Sequence, residues 1–175
     1  TKDEIRAWVA DNLGQSSNLS GAYVSHTGAV SVDTFSSTGT ATLELAATGA
    51  ISQGTALTGQ TLVATTLNDA GADITLTNTG NDFDTVSVRA LNAAGDAFDT
   101  GAVQYTDANG FDIGDPDTYD TGTASTLDLT GGGATGNDIT DTGQLSVDGD
   151  TTIVAGSADV VLDNTANDFD TGGDG

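Results

Sequence analysis

The dipeptide Thr-Gly recurs along the chain at a nearly constant spacing, and this recurrence restricts the fold more than any other feature. Successive copies begin about 21 residues apart, and a fixed period of this length is typical of repeat architectures in which each unit stacks on the last. The copies that keep this spacing begin at Thr38, Thr58, Thr79, Thr100, Thr121 and Thr142, and a degraded copy begins at Thr165.

Apolar residues keep the same period and fall mostly in pairs two residues apart, so that both side chains point to one side of an extended strand. Such pairs include Leu43 with Leu45, Leu62 with Ala64, and Leu127 with Leu129. Short strands joined by corners of Gly, Asp, Thr and Asn predict an all-β solenoid, a parallel β-helix with coils of about 21 residues. The alternative is an Ig-like β-sandwich, which has short alternating strands but requires no such period.

A longer repeat extends over several of these coils. Residues 73–85 return as residues 159–171, and both copies contain the sequence Asn-Asp-Phe-Asp-Thr. The offset of about 86 residues is close to four coils of the predicted length. We therefore expect the molecule to lengthen by duplication of blocks of coils.

The chain carries 26 Asp and Glu residues against 3 Lys and Arg residues, a formal net charge of −23. Nucleic acids and anionic membrane surfaces both select basic proteins, so neither is an expected partner. No run of about 18 apolar residues is present, and a membrane span is not predicted. Low hydrophobicity with high charge can indicate disorder, but the regular period of the apolar residues favours a folded chain.

Residues 1–14 lie outside the repeat, and we assign residues 15–175 to the solenoid. A capping-box pattern at the start and Gly14 at the end predict a short amphipathic helix over residues 2–13. So short a helix is marginal alone, and its apolar face must therefore dock. The helix either caps the first coil or forms an oligomer contact with Trp8 as its anchor. Its apolar face consists of Ile5, Trp8, Val9 and Leu13.

Three stretches of the repeat region carry a further signal, and they lie at residues 75–83, 105–114 and 139–152. The first is Thr-Leu-Thr-Asn-Thr-Gly-Asn-Asp-Phe. In order and spacing, the three resemble the filamentous-haemagglutinin-like, β-strand-repeat proteins of bacterial surfaces. The resemblance is one of repeat style and covers about residues 40–171. It implies a right-handed parallel β-helix in a large secreted or surface-attached protein that serves in adhesion or as a stalk.

The residue before Thr-Gly is an aspartate or asparagine from the third copy onward. In a stacked solenoid with a constant period these residues would lie above one another in a single file. Their side chains would accept hydrogen bonds from corner N–H groups, point into water, or share cations. The set comprises Asn78, Asp99, Asp120, Asp141 and Asn164.

A candidate calcium site lies in the loop of residues 112–120, which contains the single proline of the chain. Four carboxylates within nine residues supply the hard oxygen ligands that Ca²⁺ prefers. The EF-hand pattern is absent, and no sequence feature requires a cofactor. The four residues are Asp112, Asp115, Asp117 and Asp120.

No convergent set of acid, base and nucleophile is visible, and we therefore expect no enzyme. The leading hypothesis is an extracellular structural or adhesive protein of a bacterial surface, a rod, stalk or fibre subunit that binds a surface glycan or a host or cell-surface ligand. One alternative is a calcium-dependent surface-layer or matrix protein. Another is a β-helix enzyme acting on polysaccharide, with Arg89 as its candidate base. Open strand edges at the last coil predict end-to-end self-association.

Overall fold

In the computed structural model the chain winds as a parallel β-solenoid, which confirms the predicted fold class. The structure describes residues 21–97, 99–114, 123–124, 126–147 and 149–169. These ranges contain sixteen strands and no helix, and the strands complete about five turns. The predicted helix over residues 2–13, with Ile5, Trp8, Val9 and Leu13, lies outside the described residues. The right-handed winding stays a prediction.

The strands are short and are numbered in chain order. The first eight are β1 (Gly21–His26), β2 (Val30–Val32), β3 (Phe35–Ser36), β4 (Thr42–Ala47), β5 (Ile51–Gln53), β6 (Leu57–Leu67), β7 (Ile74–Leu76) and β8 (Asp82–Leu91). The last eight are β9 (Ala102–Thr106), β10 (Phe111–Ile113), β11 (Thr123–Ala124), β12 (Thr126–Thr130), β13 (Ile139–Asp141), β14 (Ser146–Val147), β15 (Thr151–Val154) and β16 (Val160–Val161).

All strand pairings among the described residues are parallel and join one coil to the next. An eight-stranded sheet has the order β1-β4-β6-β8-β10-β13-β16, with β3 beside β6. A six-stranded sheet has the order β15-β12-β9-β7-β5-β2, and β11 pairs with β14. An Ig-like sandwich would require antiparallel sheets, so the parallel pairing excludes that alternative.

The core is a continuous column of side chains inside the coils. Along β4 buried and half-buried residues alternate, as expected for a strand with one side facing the core. Full burial of a leucine or valine contributes roughly 1.5–3 kcal/mol. Six of the apolar pairs lie in this column: Leu43, Leu45, Leu62, Ala64, Val86, Val88, Val103, Tyr105, Leu127, Leu129, Leu145 and Val147.

The coils differ in length, although the Thr-Gly spacing is nearly constant. Gly21 lies beside Thr42 and Thr42 lies beside Thr61, so the second of these coils is two residues shorter than the first. In the six-stranded sheet Ile74 lies beside Val103, which makes that coil eight residues longer than the first. The extra residues lie between strands, where a longer loop leaves the strand pairing intact. The predicted coil of about 21 residues is therefore wrong as a constant length.

Gly59 illustrates how the register departs from the Thr-Gly period. Thr58 and Gly59 pair with Asp82 and Phe83 rather than with the next Thr-Gly copy. A Cβ on Gly59 would lie 3.0 Å from ring carbons of both Phe35 and Phe83. These two rings are stacked, with centroids 6.4 Å apart and an interplanar angle of 9°. The missing side chain leaves room for aromatic contact across an intervening coil.

The two copies of the long repeat lie on different sides of the coil. Ile74 of the first copy is in the six-stranded sheet, whereas the equivalent Val160 is in the eight-stranded sheet. From Ile74 the six-stranded sheet passes through Val103 and Leu127 to Thr151, which is three turns. Val160 follows in the next strand. The offset between the two copies is therefore three turns and one further side, and not about four coils as expected.

Gly132→Ala tests the close approach of two coils. A Cβ at Gly132 would lie 1.6 Å from the carbonyl oxygen of Ala108, and the Gly132 N–H donates to the Asn109 carbonyl at 2.7 Å. The methyl group must push the coils apart, so we expect the free energy of unfolding to fall by about 3 kcal/mol. Urea unfolding followed by circular dichroism measures this loss.

Gly39→Ala is the matched control for this substitution. A Cβ at Gly39 would have no atom within 4 Å. Because alanine lowers the conformational entropy of the unfolded chain, the free energy of unfolding should equal that of the parent chain or be slightly higher. Equal losses in the two variants would contradict the close approach at Gly132.

Candidate functional site

The corner after β7 turns the chain through two linked hydrogen bonds. The Asn78 side-chain oxygen accepts the N–H of Gly80 at 3.0 Å, and the Asn78 carbonyl accepts the N–H of Asn81 at 3.1 Å. In Asx turns of this kind a side chain takes the place of a backbone partner. The corner after β16 repeats both bonds around Asn164.

Asn81, the fourth residue of this corner, is fully buried and joins three coils. Its side-chain oxygen accepts the N–H of Leu57, in the coil before, at 3.0 Å. Its amide nitrogen donates to the Leu76 carbonyl at 3.1 Å and to the Thr106 carbonyl, in the coil after, at 2.9 Å. The Gln53 amide pairs with it in both directions at 2.7 and 3.0 Å. Asn81 thus satisfies buried backbone groups that strand pairing leaves open.

Asp107 occupies the equivalent corner position one coil later. Its carboxylate accepts the N–H of Phe83, in the coil before, at 3.1 Å. It also accepts the N–H of Asn109 at 2.8 Å and the hydroxyl of Tyr105. Only 3% of Asp107 is exposed. Three donors therefore hold this carboxylate inside the fold.

Burial sets the protonation of the Tyr105–Asp107 pair. Loss of hydration raises the pKa of Asp107 from 3.8 to about 6, although the hydrogen bonds from Tyr105, Asn109 and Phe83 favour the charged form. Burial also raises the pKa of the Tyr105 hydroxyl, and the charge of Asp107 raises it further. At neutral pH the tyrosine keeps its proton and donates a hydrogen bond to a buried carboxylate.

A second pair of polar side chains links the last described coils. The Asn167 side-chain oxygen accepts the N–H of Leu145 at 2.8 Å, and its amide donates to the Asp141 carboxylate. Asp141 is 6% exposed and accepts the N–H of Asp163 at 2.8 Å. Each of these groups accepts a backbone N–H from a neighbouring coil. We name these four of the residues that do so the coil clamps: Asn81, Asp107, Asp141 and Asn167.

The predicted single file of residues before Thr-Gly is wrong. Asn78 follows a strand of the six-stranded sheet, and Asn164 follows a strand of the eight-stranded sheet. Asp99 precedes β9, Asp141 lies within β13, and Asp120 is outside the described residues. Coils of unequal length remove the common register. Four of the set, Asn78, Asp99, Asp141 and Asn164, nevertheless accept hydrogen bonds from backbone N–H groups, which is one of the three outcomes that the sequence left open.

The predicted calcium site falls mostly on residues outside the described ranges, namely Asp115, Asp117 and Asp120. The fourth residue, Asp112, lies in β10, where one oxygen accepts the Thr140 hydroxyl and the Thr142 N–H, both at 3.0 Å. Its other oxygen accepts the Thr142 hydroxyl. Among the described residues no group of three His, Asp or Glu side chains could hold a metal ion. The calcium site stays a prediction.

Arg89, the candidate base of the polysaccharide-enzyme alternative, lies in β8 beside Thr65. Its neighbours Val88 and Ala90 belong to the core, so Arg89 is on the outward side of the strand. Its Nε is buried and has no hydrogen-bond partner among the described residues. The enzyme alternative stays a prediction that these contacts neither support nor oppose.

The sequence prediction missed Asn81, Asp107 and Asn167, although a signal for two of them was present. The corner Asn-Thr-Gly-Asn of residues 78–81 returns as Asn-Thr-Ala-Asn at residues 164–167. Its second asparagine lies three residues after the first, at the closing position of a β-turn. Asp107 follows β9 in the different corner sequence Thr-Asp-Ala-Asn, so its equivalence is visible only in the structure.

The chain matches a protein family described as repeats of unknown function (DUF5649) over residues 20–89 and 100–172. These segments cover more than half of the chain, and each ends with one copy of the long repeat. No curated protein and no solved structure matches the chain. Within the described residues no helix is long and apolar enough to cross a membrane.

Asn81→Ala tests whether the most connected coil clamp stabilises the fold. The substitution leaves the Leu57 N–H and the carbonyls of Leu76 and Thr106 without their partner. A buried polar group without a partner costs about 1–3 kcal/mol, so we expect the free energy of unfolding to fall by at least about 3 kcal/mol. Asn78→Ala is the control, because it removes one exposed bond and should cost about 1 kcal/mol. Urea unfolding measures both, and equal losses would refute the clamp.

Asp107→Asn tests the buried carboxylate through the pH dependence of stability. Because folding raises the pKa of Asp107, its contribution to stability is complete below pH 3.8 and is lost as the pH rises through about 6. A shift of this size corresponds to about 3 kcal/mol. Asparagine has no charge to bury, so the free energy of unfolding of the variant relative to the parent chain should rise by that amount from about pH 3.5 to about pH 7.

Urea unfolding at several pH values measures this relative profile. Asp128→Asn, at an exposed position on β12, controls for the loss of one negative charge. If the free energies of unfolding of the parent chain and of Asp107→Asn changed in parallel with pH, burial of the charged carboxylate would have no free-energy cost.

Proposed function

The chain belongs to the DUF5649 family of repeats, and we propose that it is a non-enzymatic structural unit of an extracellular rod, stalk or fibre at a bacterial surface. The observation that carries the proposal is that the side chains of the coil clamps bond to neighbouring coils. Asn81 bonds to three successive coils, and Asp107 uses its carboxylate to accept bonds from backbone and tyrosine donors. These buried polar groups hold coils together, and a solenoid held in this way lengthens by adding coils.

The rotation between repeat copies supports a role as a rod that presents its surface in several directions. Equivalent residues such as Ile74 and Val160 lie in different sheets. Each further copy would shift its surface by one more side of the coil. An adhesive group carried by each copy would then point in a different direction around the axis. This arrangement suits a stalk that binds ligands from any side.

Charge and surface chemistry support the extracellular placement and the adhesive role. A net charge of −23 keeps neighbouring rods apart and soluble. Several outward residues of the six-stranded sheet are polar, among them Ser52, Thr75, Gln104 and Asp128. Hydroxyl, amide and carboxylate groups in a row would bind the hydroxyls of a surface glycan. The bacterial surface itself rests on the resemblance of repeat style to filamentous-haemagglutinin-like proteins.

End-to-end self-association is part of this proposal. The last described coils expose four large apolar side chains, each by more than 40% of its surface. β15 and β16 are the last strands of their sheets in the described part of the chain. A parallel strand from another copy could pair with their outer edges and cover these side chains. The four residues are Val154, Val160, Val161 and Phe169.

Duplication of residues 86–171 in tandem tests whether the repeat builds a rod. Three turns and one side of a coil, at about 4.8 Å per turn, should lengthen the molecule by about 16 Å without changing its cross-section. Small-angle X-ray scattering measures both quantities. A second compact body joined by a linker, with no continuous increase in length, would contradict the proposal.

A further inference from the structure

One outward-facing part of the eight-stranded sheet is buried although it does not belong to the core. Val63 exposes 2% of its surface and Ser87 none, and Val63 is absent from the core cluster. Both alternate along β6 and β8 with residues that point into the core. Thr65 is 9% exposed, and Arg89 beside it is half-buried. We name these four residues the covered patch: Val63, Thr65, Ser87 and Arg89.

Comparable positions on the six-stranded sheet show that the solenoid wall alone does not bury its outward side chains. Thr75 on β7 is half-buried, and Gln104 and Asp128 on the following coils are exposed. On the eight-stranded sheet itself, the outward Tyr23 of β1 exposes 58% of its surface. The covered patch is therefore local to β6 and β8, and its burial requires a second layer there.

Two polar atoms of the covered patch indicate the chemistry of that layer. The Ser87 hydroxyl oxygen and the Arg89 Nε are buried and have no hydrogen-bond partner among the described residues. Buried groups without a partner are costly and therefore rare. Both groups can donate, so the covering layer must combine apolar contact with Val63 and acceptors, of which carboxylates suit a guanidinium best.

We propose that the N-terminal segment of the same chain, residues 1–20, forms this layer. The apolar face predicted for its helix supplies the contact with Val63, and the same helix carries carboxylates for Arg89. Arg89 is the single Lys or Arg after residue 6, so charge attraction also favours this patch. The apolar residues are Ile5, Trp8, Val9 and Leu13, and the carboxylates are Asp3, Glu4 and Asp11.

The lengths of the segment and of the sheet permit this contact. The first described strand, β1, begins at Gly21, and the sheet order places β6 two strands away and β8 three strands away. These separations are about 10 and 14 Å. Residues 14–20 span up to about 23 Å when extended, and a helix over residues 2–13 is about 18 Å long. The segment can therefore reach across both strands.

This placement differs from the two that the sequence suggested. A helix on the side of the solenoid neither caps the first coil nor joins two molecules. The strand edges of the first coil then stay available, which suits the end-to-end contact of the proposed rod. The inference concerns one chain alone, so it holds or fails independently of that rod.

A single cysteine at Ser87 tests the proposal, because the chain has no cysteine of its own. Ser87→Cys is nearly isosteric, and Thr75→Cys places the same thiol on the uncovered sheet as a control. In the full chain the thiol at position 87 should react with a maleimide at least about tenfold more slowly than the control. Adding Trp8→Asp should bring its rate to that of the control, with an unchanged circular dichroism spectrum.

Two outcomes would overturn the proposal. Protection that survives Trp8→Asp would mean that another segment covers the patch. Protection that disappears on dilution of the parent chain would mean that a second copy covers it.

A second measurement uses Trp8 itself, the single tryptophan of the chain. In the docked segment its fluorescence should be blue-shifted and poorly quenched by acrylamide. Ser87→Lys should shift the emission to the red and increase quenching, whereas Thr75→Lys should change neither. Identical spectra for the two lysine variants would contradict docking on the covered patch.

Discussion

The structure depends on one constraint, which is that each coil must satisfy the backbone hydrogen-bonding groups of its neighbours. Strands meet this constraint through parallel pairing. Corners cannot, since the chain changes direction there and its N–H groups leave the regular ladder. The coil clamps supply acceptors next to the corners, where strands begin, as Asn81 does for Leu57 at the start of β6 and Asp107 does for Phe83 near the start of β8. The apolar column stabilises the coils, and the clamps fix how one coil sits on the next.

Unequal coils follow from this division of roles. Strand pairing and clamps act between coils, whereas corner loops are free to lengthen, as between Ile74 and Val103. The long repeat consequently advances three turns and one side, and the same sequence serves in two different sheets. A strand of this solenoid needs a parallel neighbour to pair with, and β7 has β5 in one sheet as β16 has β13 in the other. Rotation of the repeat is therefore compatible with one core.

The sequence predicted the architecture well because inward apolar pairs such as Leu43 and Leu45 are a direct requirement of a thin core. The register was not predictable, since the Thr-Gly spacing does not measure the length of a coil. The clamps were missed for a related reason. The side chain of an aspartate at a corner can instead point into solvent. Burial of Asp107 depends on the position of Phe83, 24 residues earlier. That contact can be recognised only once the register between the coils is known.

Pairs of introduced cysteines measure this register directly. Thr140 lies beside Val161, on adjacent parallel strands whose spacing of about 4.8 Å suits a disulfide. A chain with Thr140→Cys and Val161→Cys should close this bond under mild oxidation. A chain with Asp128→Cys and Val161→Cys should stay reduced, because β12 and β16 lie in different sheets. A bond between positions 128 and 161, with none between 140 and 161, would contradict the rotated register.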